Sequence, residues 1–186
     1  MRWVNSLHQQ SDAELVRQAK RGSTKALDAL VQRYALPLYS FIRALAGSSS
    51  LANELYQETW YRCFQALQTR YRERGHFRTW LLGIAVNVVR QSRQQPRTLP
   101  LNEDRLDTLV SQEHSEDEVV NGERKRYLYR AIARLPEPER EVVLLRLQSD
   151  LTFREIAEIL NKPLNTVLSH MHRAVKRLRS ELKELA

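Results

Sequence analysis

The sequence predicts an all-α protein: two small helical domains joined by an acidic linker, the C-terminal one a four-helix domain containing a helix-turn-helix. Three observations predict it. The 186 residues include only five glycines and six prolines, too few for a turn-rich β fold. Apolar residues recur at helical spacing in both halves of the chain. Charge is divided by position: residues 1–94 carry 14 Lys/Arg against 6 Asp/Glu, residues 95–123 carry 2 against 8, and residues 124–186 carry 14 against 8. Two basic blocks with an acidic stretch between them read as two globular parts and a linker.

The elements follow in order. Ser11-Asp12-Ala13-Glu14 has the form of a capping box ahead of Leu15, Val16 and Ala19, and Gly22 is placed to end that helix. A second helical segment spans about Ser23 to Ala46, with Ala26, Leu27, Leu30, Val31 and Tyr34 on one face; Pro37 is expected to kink or break it. Gly47-Ser48-Ser49-Ser50 stops that segment and caps a third helix from about Leu51 to Gln68. A fourth runs from about Phe77 to Gln94, after an arginine-dense loop, Thr69 to His76. Gln95-Pro96 opens the acidic stretch, which includes Pro100 and shows no sustained period, so it reads as extended or disordered.

The second basic block predicts four helices. The first spans Glu123 to Leu135 and the second Glu139 to Gln148, after Pro136 and Pro138. Thr152-Phe153-Arg154-Glu155 is a second capping box, opening a short helix through Leu160. Asn161-Lys162-Pro163-Leu164 is a tight turn in which Asn161 can adopt the left-handed conformation. Asn165 or Thr166 is positioned to cap a long last helix reaching about Leu182. A short helix, a turn of this length and a longer helix make a helix-turn-helix.

At roughly 100° per residue from Thr166, Val167, Met171, Ala174, Val175, Leu178 and Leu182 share one side of that last helix. Thr166, Ser169, His170, Arg173 and Arg177 share the opposite side. Hydroxyls, an imidazole and two guanidiniums can reach base edges and phosphates from a major groove. Taken alone, the pattern equally describes a core helix with a solvated face; the capped helix, the turn and the basic charge of the block favour nucleic acid. Leu168 falls at the core edge, placed to pack rather than to touch DNA.

The loop before the fourth helix combines Arg70, Tyr71, Arg72, Arg74 and His76 with Trp80 just beyond it. Guanidiniums that track phosphate and rings that stack on bases suit single-stranded nucleic acid, although core aromatics beside a basic loop look the same in sequence. On the fourth helix Phe77, Leu81, Ile84, Ala85 and Val88 share an apolar face, and Thr79, Gly83, Asn87 and Arg90 share another. Gly83 costs about 1 kcal/mol against alanine inside a helix. Either a nucleic-acid backbone or a second helix comes close there.

Other classes of function are disfavoured. The formal charge of +8 suits a polyanion partner. No apolar run approaches the roughly 18 residues of a membrane span, and Met1-Arg2-Trp3-Val4-Asn5 lacks the apolar core of a signal peptide, so the cytoplasm is expected. The lone Cys63 excludes an internal disulfide and a cysteine zinc cluster. His170 and His172, at i and i+2, point to different sides of a helix and cannot share an ion. No phosphate-cradling glycine loop and no nucleophile–base constellation is legible, so neither catalytic residues, nor a metal, nor a cofactor is expected.

These residues together resemble a known family. Asp12-Ala13-Glu14-Leu15-Val16 with Ala19 and Gly22, Tyr34, Gln57-Glu58-Thr59, and Phe77-Arg78-Thr79-Trp80-Leu81-Leu82-Gly83-Ile84-Ala85 with Asn87 resemble the first conserved block of the extracytoplasmic-function sigma factors of bacterial RNA polymerase. Leu135-Pro136, Arg140-Glu141-Val142, Glu155-Ile156-Ala157-Glu158-Ile159-Leu160, Pro163, Thr166-Val167, Ser169 and Arg173-Ala174 resemble the second. The resemblance implies a region 2 domain over 1–94, a flexible linker over 95–122 and a region 4 domain over 123–186. The first would bind the β′ clamp of core polymerase through Leu55, Gln57, Glu58 and Tyr61, and would melt the −10 element with Arg70, Arg72, Arg74, His76, Trp80, Asn87 and Arg90. The second would meet the β flap and read the −35 element with Thr166, Ser169, His170, Arg173 and Arg177. An anti-sigma protein is implied as a further partner. Asn161, Asn165, Leu168 and His170 depart from the family's usual residues on and before the reading helix, so the resemblance does not carry a −35 sequence with it.

The competing reading is an autonomous helix-turn-helix regulator, whose N-terminal half would sense a signal or dimerise. It predicts specific duplex binding without polymerase; a strand-melting surface and an acidic linker have no use in it.

Overall fold

The hydroxyl of Ser11 accepts a bond from the Glu14 amide, and α1 follows over Asp12–Lys20. The Glu14 carboxylate turns to Arg17 and Gln18, so only one half of the expected box forms. Gly22, at φ +90°, ends the turn, and the Ser23 amide reaches back to the Gln18 carbonyl at 3.1 Å. In the computed structural model these features belong to described residues 9–69, 71–72, 76–94, 127–149 and 151–183. The 95–122 linker therefore lies outside the described residues.

Ser23 caps α2, Thr24–Ala46, which continues through Pro37 without interruption. The expected break does not occur. Pro37 is exposed, so water can reach the carbonyl that its missing N–H leaves without a helical partner. Leu30 and Leu38 on either side are buried and keep both halves in place. Gly47, left-handed at φ 82°, closes α2. The Ser48 hydroxyl then accepts from the Leu51 amide at 3.3 Å and starts α3, Ser49–Thr69. Helix α4 spans Phe77–Gln94, as expected.

In the C-terminal half, α5 covers residues 127–134. Helix α6, Glu137–Ser149, begins two residues earlier than expected. The Pro136 carbonyl accepts from the Glu139 and Arg140 amides, and Pro138 sits in the first turn, where a missing N–H is no loss. Helix α7, Phe153–Leu160, carries the complete capping box between Thr152 and Glu155. Asn161 is left-handed at φ 50°. Helix α8, Leu164–Lys183, starts before the expected Asn165 or Thr166 cap. The Pro163 carbonyl takes the Thr166 and Val167 amides at 3.0 and 3.2 Å, because the proline ring already sets a helical φ.

Leu15, Leu30, Phe41, Ile42, Leu67 and Leu81 fill the N-terminal bundle; Ile132, Leu144, Leu145, Ile156, Val167 and Ala174 fill the C-terminal one. The two sets join in one apolar cluster. Helices α2 and α4 pack against α6 and α7 where they meet.

Thr152→Ala is expected to cost about 1 kcal/mol, seen as a lower thermal midpoint by circular dichroism. Bonds from the Thr152 amide and then its hydroxyl hold the Glu155 carboxyl below its usual range. A depressed folded pKa means that this contribution is present above the ordinary Glu value of about 4.3 and is lost as pH falls through the lower folded value.

Candidate nucleic-acid interface

Thr79, Trp80, Gly83, Ile84 and Asn87 of α4 line an open cleft of about 410 Å³, with Tyr71, Arg72 and His76 at one end. That volume lies within the range of small-ligand sites. A Cβ built on Gly83 would meet nothing within 4 Å, so no described helix packs tightly against it. Trp80 is half-buried, against Tyr71 at 4.5 Å and Phe77 at 5.8 Å between ring centroids. Arg72 and His76 are exposed, while Arg70 and Arg74 lie outside the described residues.

Tyr71 corrects the expectation of a ring offered to bases. It is 5% exposed and belongs to the core. Its amide bonds the Ala66 carbonyl, its carbonyl takes Lys20 Nζ at 2.6 Å, and its ring packs on Phe77. Tyr71 therefore supports Trp80 from behind.

The C-terminal half forms the other wall of the cleft with Glu158 and Ile159 of α7. Further along α4, Arg90 is engaged rather than open. Its Nε and Nη2 donate to the two oxygens of Glu141 at 2.9 and 2.6 Å, and Glu141 is 2% exposed. The bonds it donates to Glu141 raise the Arg90 pKa further. Arg93 pairs with Glu137 and donates to the Leu45 carbonyl at 2.6 Å. Acidic α6 thus lies on the basic end of α4 in the described arrangement.

On α8, Val167 and Ala174 are fully buried, and Met171 and Leu178 pack beside them. Ser169, Arg173 and Arg177 are exposed on the far side; Thr166 and His170 are half-buried. The Ser169 hydroxyl donates to the Asn165 carbonyl at 2.8 Å. Burial first, then the Arg173 and Lys162 charges, lower the His170 pKa. In the neutral ring with its proton on Nε2, Nδ1 accepts from Arg173 Nη2, 2.7 Å away. Leu168 is 40% exposed, so the expectation that it packs is corrected: it stands clear of the core on the outer side of the helix.

On α3, Gln57 is exposed, Tyr61 is 57% exposed and Glu58 pairs with Arg62 at 2.6 Å. Leu55 is corrected from a contact residue to a core residue. At 5% exposure it packs inward with Ala52 and Thr59, one helical turn away on each side. Cys63 is buried one turn further, which pushes its thiol up to about 12. No described helix is long and apolar enough to cross a membrane.

Two residues to which sequence reasoning assigned no site role sit behind these surfaces. Glu141 holds Arg90, and Glu139 contacts both Arg173 and Arg177 at 3.3 and 3.1 Å. The only local sign of them is the i, i+2, i+4 acidic spacing Glu137, Glu139, Glu141, which reads in sequence as an ordinary acidic first turn.

Known proteins match the same two halves. The family described as Sigma-70 region 2 matches residues 30–97, and that described as Sigma-70, region 4 matches residues 125–178. The ECF RNA polymerase sigma-E factor of Haemophilus influenzae is 27% identical over 95% of this chain and 98% of that protein. The Escherichia coli K12 factor of the same name is 29% identical over 95% and 97%. The RNA polymerase sigma-H factor of Pseudomonas aeruginosa is 28% identical over 96% and 97%. Among solved structures, CnrH in complex with the cytosolic domain of CnrY has the same fold, with a TM-score of 0.70, 21% identity and coverage of 95% and 100%. The sigma factor RpoE in complex with the anti-sigma factor NepR, from Bartonella quintana, does so at 0.59, with 20% identity and coverage of 83% and 96%. With both regions present in the family's order on either side of one acidic stretch, the chain belongs to the sigma-70 family, among the sigma factors of the extracytoplasmic-function type.

Proposed function

We infer that this chain binds core RNA polymerase and directs it to particular promoters, with residues 1–94 melting the −10 element, 95–122 as the linker and 123–186 reading the −35 element. One observation carries this reading: a cleft of cationic and aromatic side chains over Gly83 occurs in the same chain as a helix-turn-helix. A duplex-binding regulator has no need of the cleft. Trp80, His76, Arg72, Asn87 and Arg90, with Arg70 and Arg74 of the neighbouring loop, take the separated strand. Thr166, Ser169, His170, Arg173 and Arg177 face the major groove. Gln57, Glu58 and Tyr61 form the patch offered to the β′ clamp, and the C-terminal half meets the β flap. The family's members are transcription initiation factors, and an anti-sigma protein belongs to the same reading as the partner that keeps the factor inactive.

As packed, Glu141 of α6 occupies Arg90, so promoter DNA reaches Arg90 only after α6 moves off α4. Gly83→Ala separates fold from function. With open space around the position, the methyl is expected to stabilise the helix by about 0.5–1 kcal/mol, while slowing promoter opening where the strand passes. A raised thermal midpoint with unchanged permanganate-detected opening would remove Gly83 from the DNA path.

The test of the whole reading is run-off transcription with core bacterial polymerase on a pool of genomic promoter fragments, with and without the full-length protein. Transcripts that depend on the protein and share −10 and −35 elements support it. No new transcripts, together with sequence-specific duplex binding by the protein alone, would establish the autonomous regulator instead.

A further inference from the structure

A buried carboxylate stands behind the polar face of α8. Glu139, in the first turn of α6, is 4% exposed. Removing a carboxylate from water is strongly unfavourable unless cations replace the lost hydration. The positive end of α6 supplies part of the replacement, and two guanidiniums from α8 supply the rest. Arg173 Nε donates to Oε1 at 3.3 Å, and Arg177 Nε lies 3.1 Å from Oε2 as a charge contact off the hydrogen-bond direction. The arginines are four residues apart, on adjacent turns, so one carboxylate spans both.

The contact leaves the arginines usable. Their side chains remain 51% and 59% exposed. An arginine bound through Nε keeps its two terminal nitrogens as donors, and Arg173 already directs Nη2 toward His170 Nδ1. Glu139, Arg173 and His170 therefore form a chain that narrows the rotamers of the guanidinium. A side chain ordered before binding loses less freedom on binding. One carboxylate against two guanidiniums also leaves a single net positive charge at this point, which weakens the attraction to phosphates of any sequence.

We propose that Glu139 is a positioning residue for promoter recognition, which pre-orders Arg173 and Arg177 and offsets their charge so that α8 discriminates base sequence rather than binding any duplex. This rests on the reading of α8 as the −35 helix.

The test uses the full-length protein with core polymerase on a promoter library randomised over the −35 element. Glu139→Leu is expected to flatten the −35 preference about tenfold, the scale set by one good arginine–base contact. Glu139→Gln, which keeps an acceptor and loses the charge, is expected to flatten it less. Binding of Glu139→Leu to random duplex should strengthen, with a logarithmic salt slope steeper by about one. The partners that Glu139→Leu leaves, Arg173 and Arg177, stay half-exposed to water, so no buried charge is stranded and the variant should keep its thermal midpoint. In an Arg173→Ala, Arg177→Ala background, Glu139→Leu should alter the preference no further. An unchanged preference in folded Glu139→Leu overturns the proposal, as does an equal loss of output at every −35 sequence. A wild-type protein with no −35 preference overturns the reading of α8 instead.

Discussion

Arg90→Ala is expected to loosen the contact between the two halves of the molecule by about 3 kcal/mol. The reason is what it leaves behind. The Glu141 side chain is 3% exposed, and its two oxygens are satisfied by the two bonds from Arg90. Removing the guanidinium strands a carboxylate in the seam between α4 and α6, and stranded buried charges cost about 3–5 kcal/mol. The lower figure applies because the Arg90 side chain is 28% exposed, so water can partly replace it. Small-angle scattering should show a larger radius of gyration, and amide exchange in α6 and α7 should quicken. Unchanged values of both would mean that the apolar contact alone keeps the halves together. Glu141→Ala gives the complementary result. It also opens the seam, but it leaves Arg90 free for DNA, so promoter opening should persist in Glu141→Ala and fall in Arg90→Ala.

The parts of this structure that were legible in sequence are those decided by neighbours in the chain. Thr152 and Glu155 are three residues apart, so their capping box could be read directly, and so could the left-handed Asn161 after it. Phe77 to Gln94 carries an uninterrupted helical period and folded over that span. What sequence could not give depends on which surface meets which. Pro37 signals a break by local rules, yet buried Leu30 and Leu38 hold the helix through it. Leu55 and Tyr61 lie on one helix six residues apart, and nothing local says that the first faces the core and the second solvent. Tyr71 has the composition of a base-stacking ring, but Lys20 and Phe77, both distant or beyond the loop, place it in the core. Glu139 and Glu141 look alike in the sequence. One faces α8 and the other α4 only because α6 lies between them. Long-range pairing of charges is set by packing, and packing follows from all the helices at once.

The aromatic cluster beneath the cleft gives the largest expected effect on stability. Phe77 opens α4, is 1% exposed, and has Tyr34, Tyr71 and Trp80 around it at 5.6, 6.0 and 5.8 Å between centroids. Phe77→Ala removes most of a buried ring and leaves a void that three stiff neighbours cannot close, so a loss of about 3–5 kcal/mol is expected. Phe77→Leu keeps more of the volume and should lose less. Urea unfolding followed by circular dichroism measures both through the midpoint at constant slope. The functional consequence is separate. Trp80 leans on Phe77 and Tyr71, so in the folded fraction of Phe77→Ala its ring should lose its fixed orientation, and opening of the −10 element should fall. The α8 surface is built from other helices, so recognition of a −35 element by holoenzyme should survive. A loss below about 1 kcal/mol would show that the void closes by repacking. Trp80 would then owe its position to Tyr71 alone, and Lys20, which fixes the Tyr71 carbonyl from α1, would become the residue on which the cleft depends.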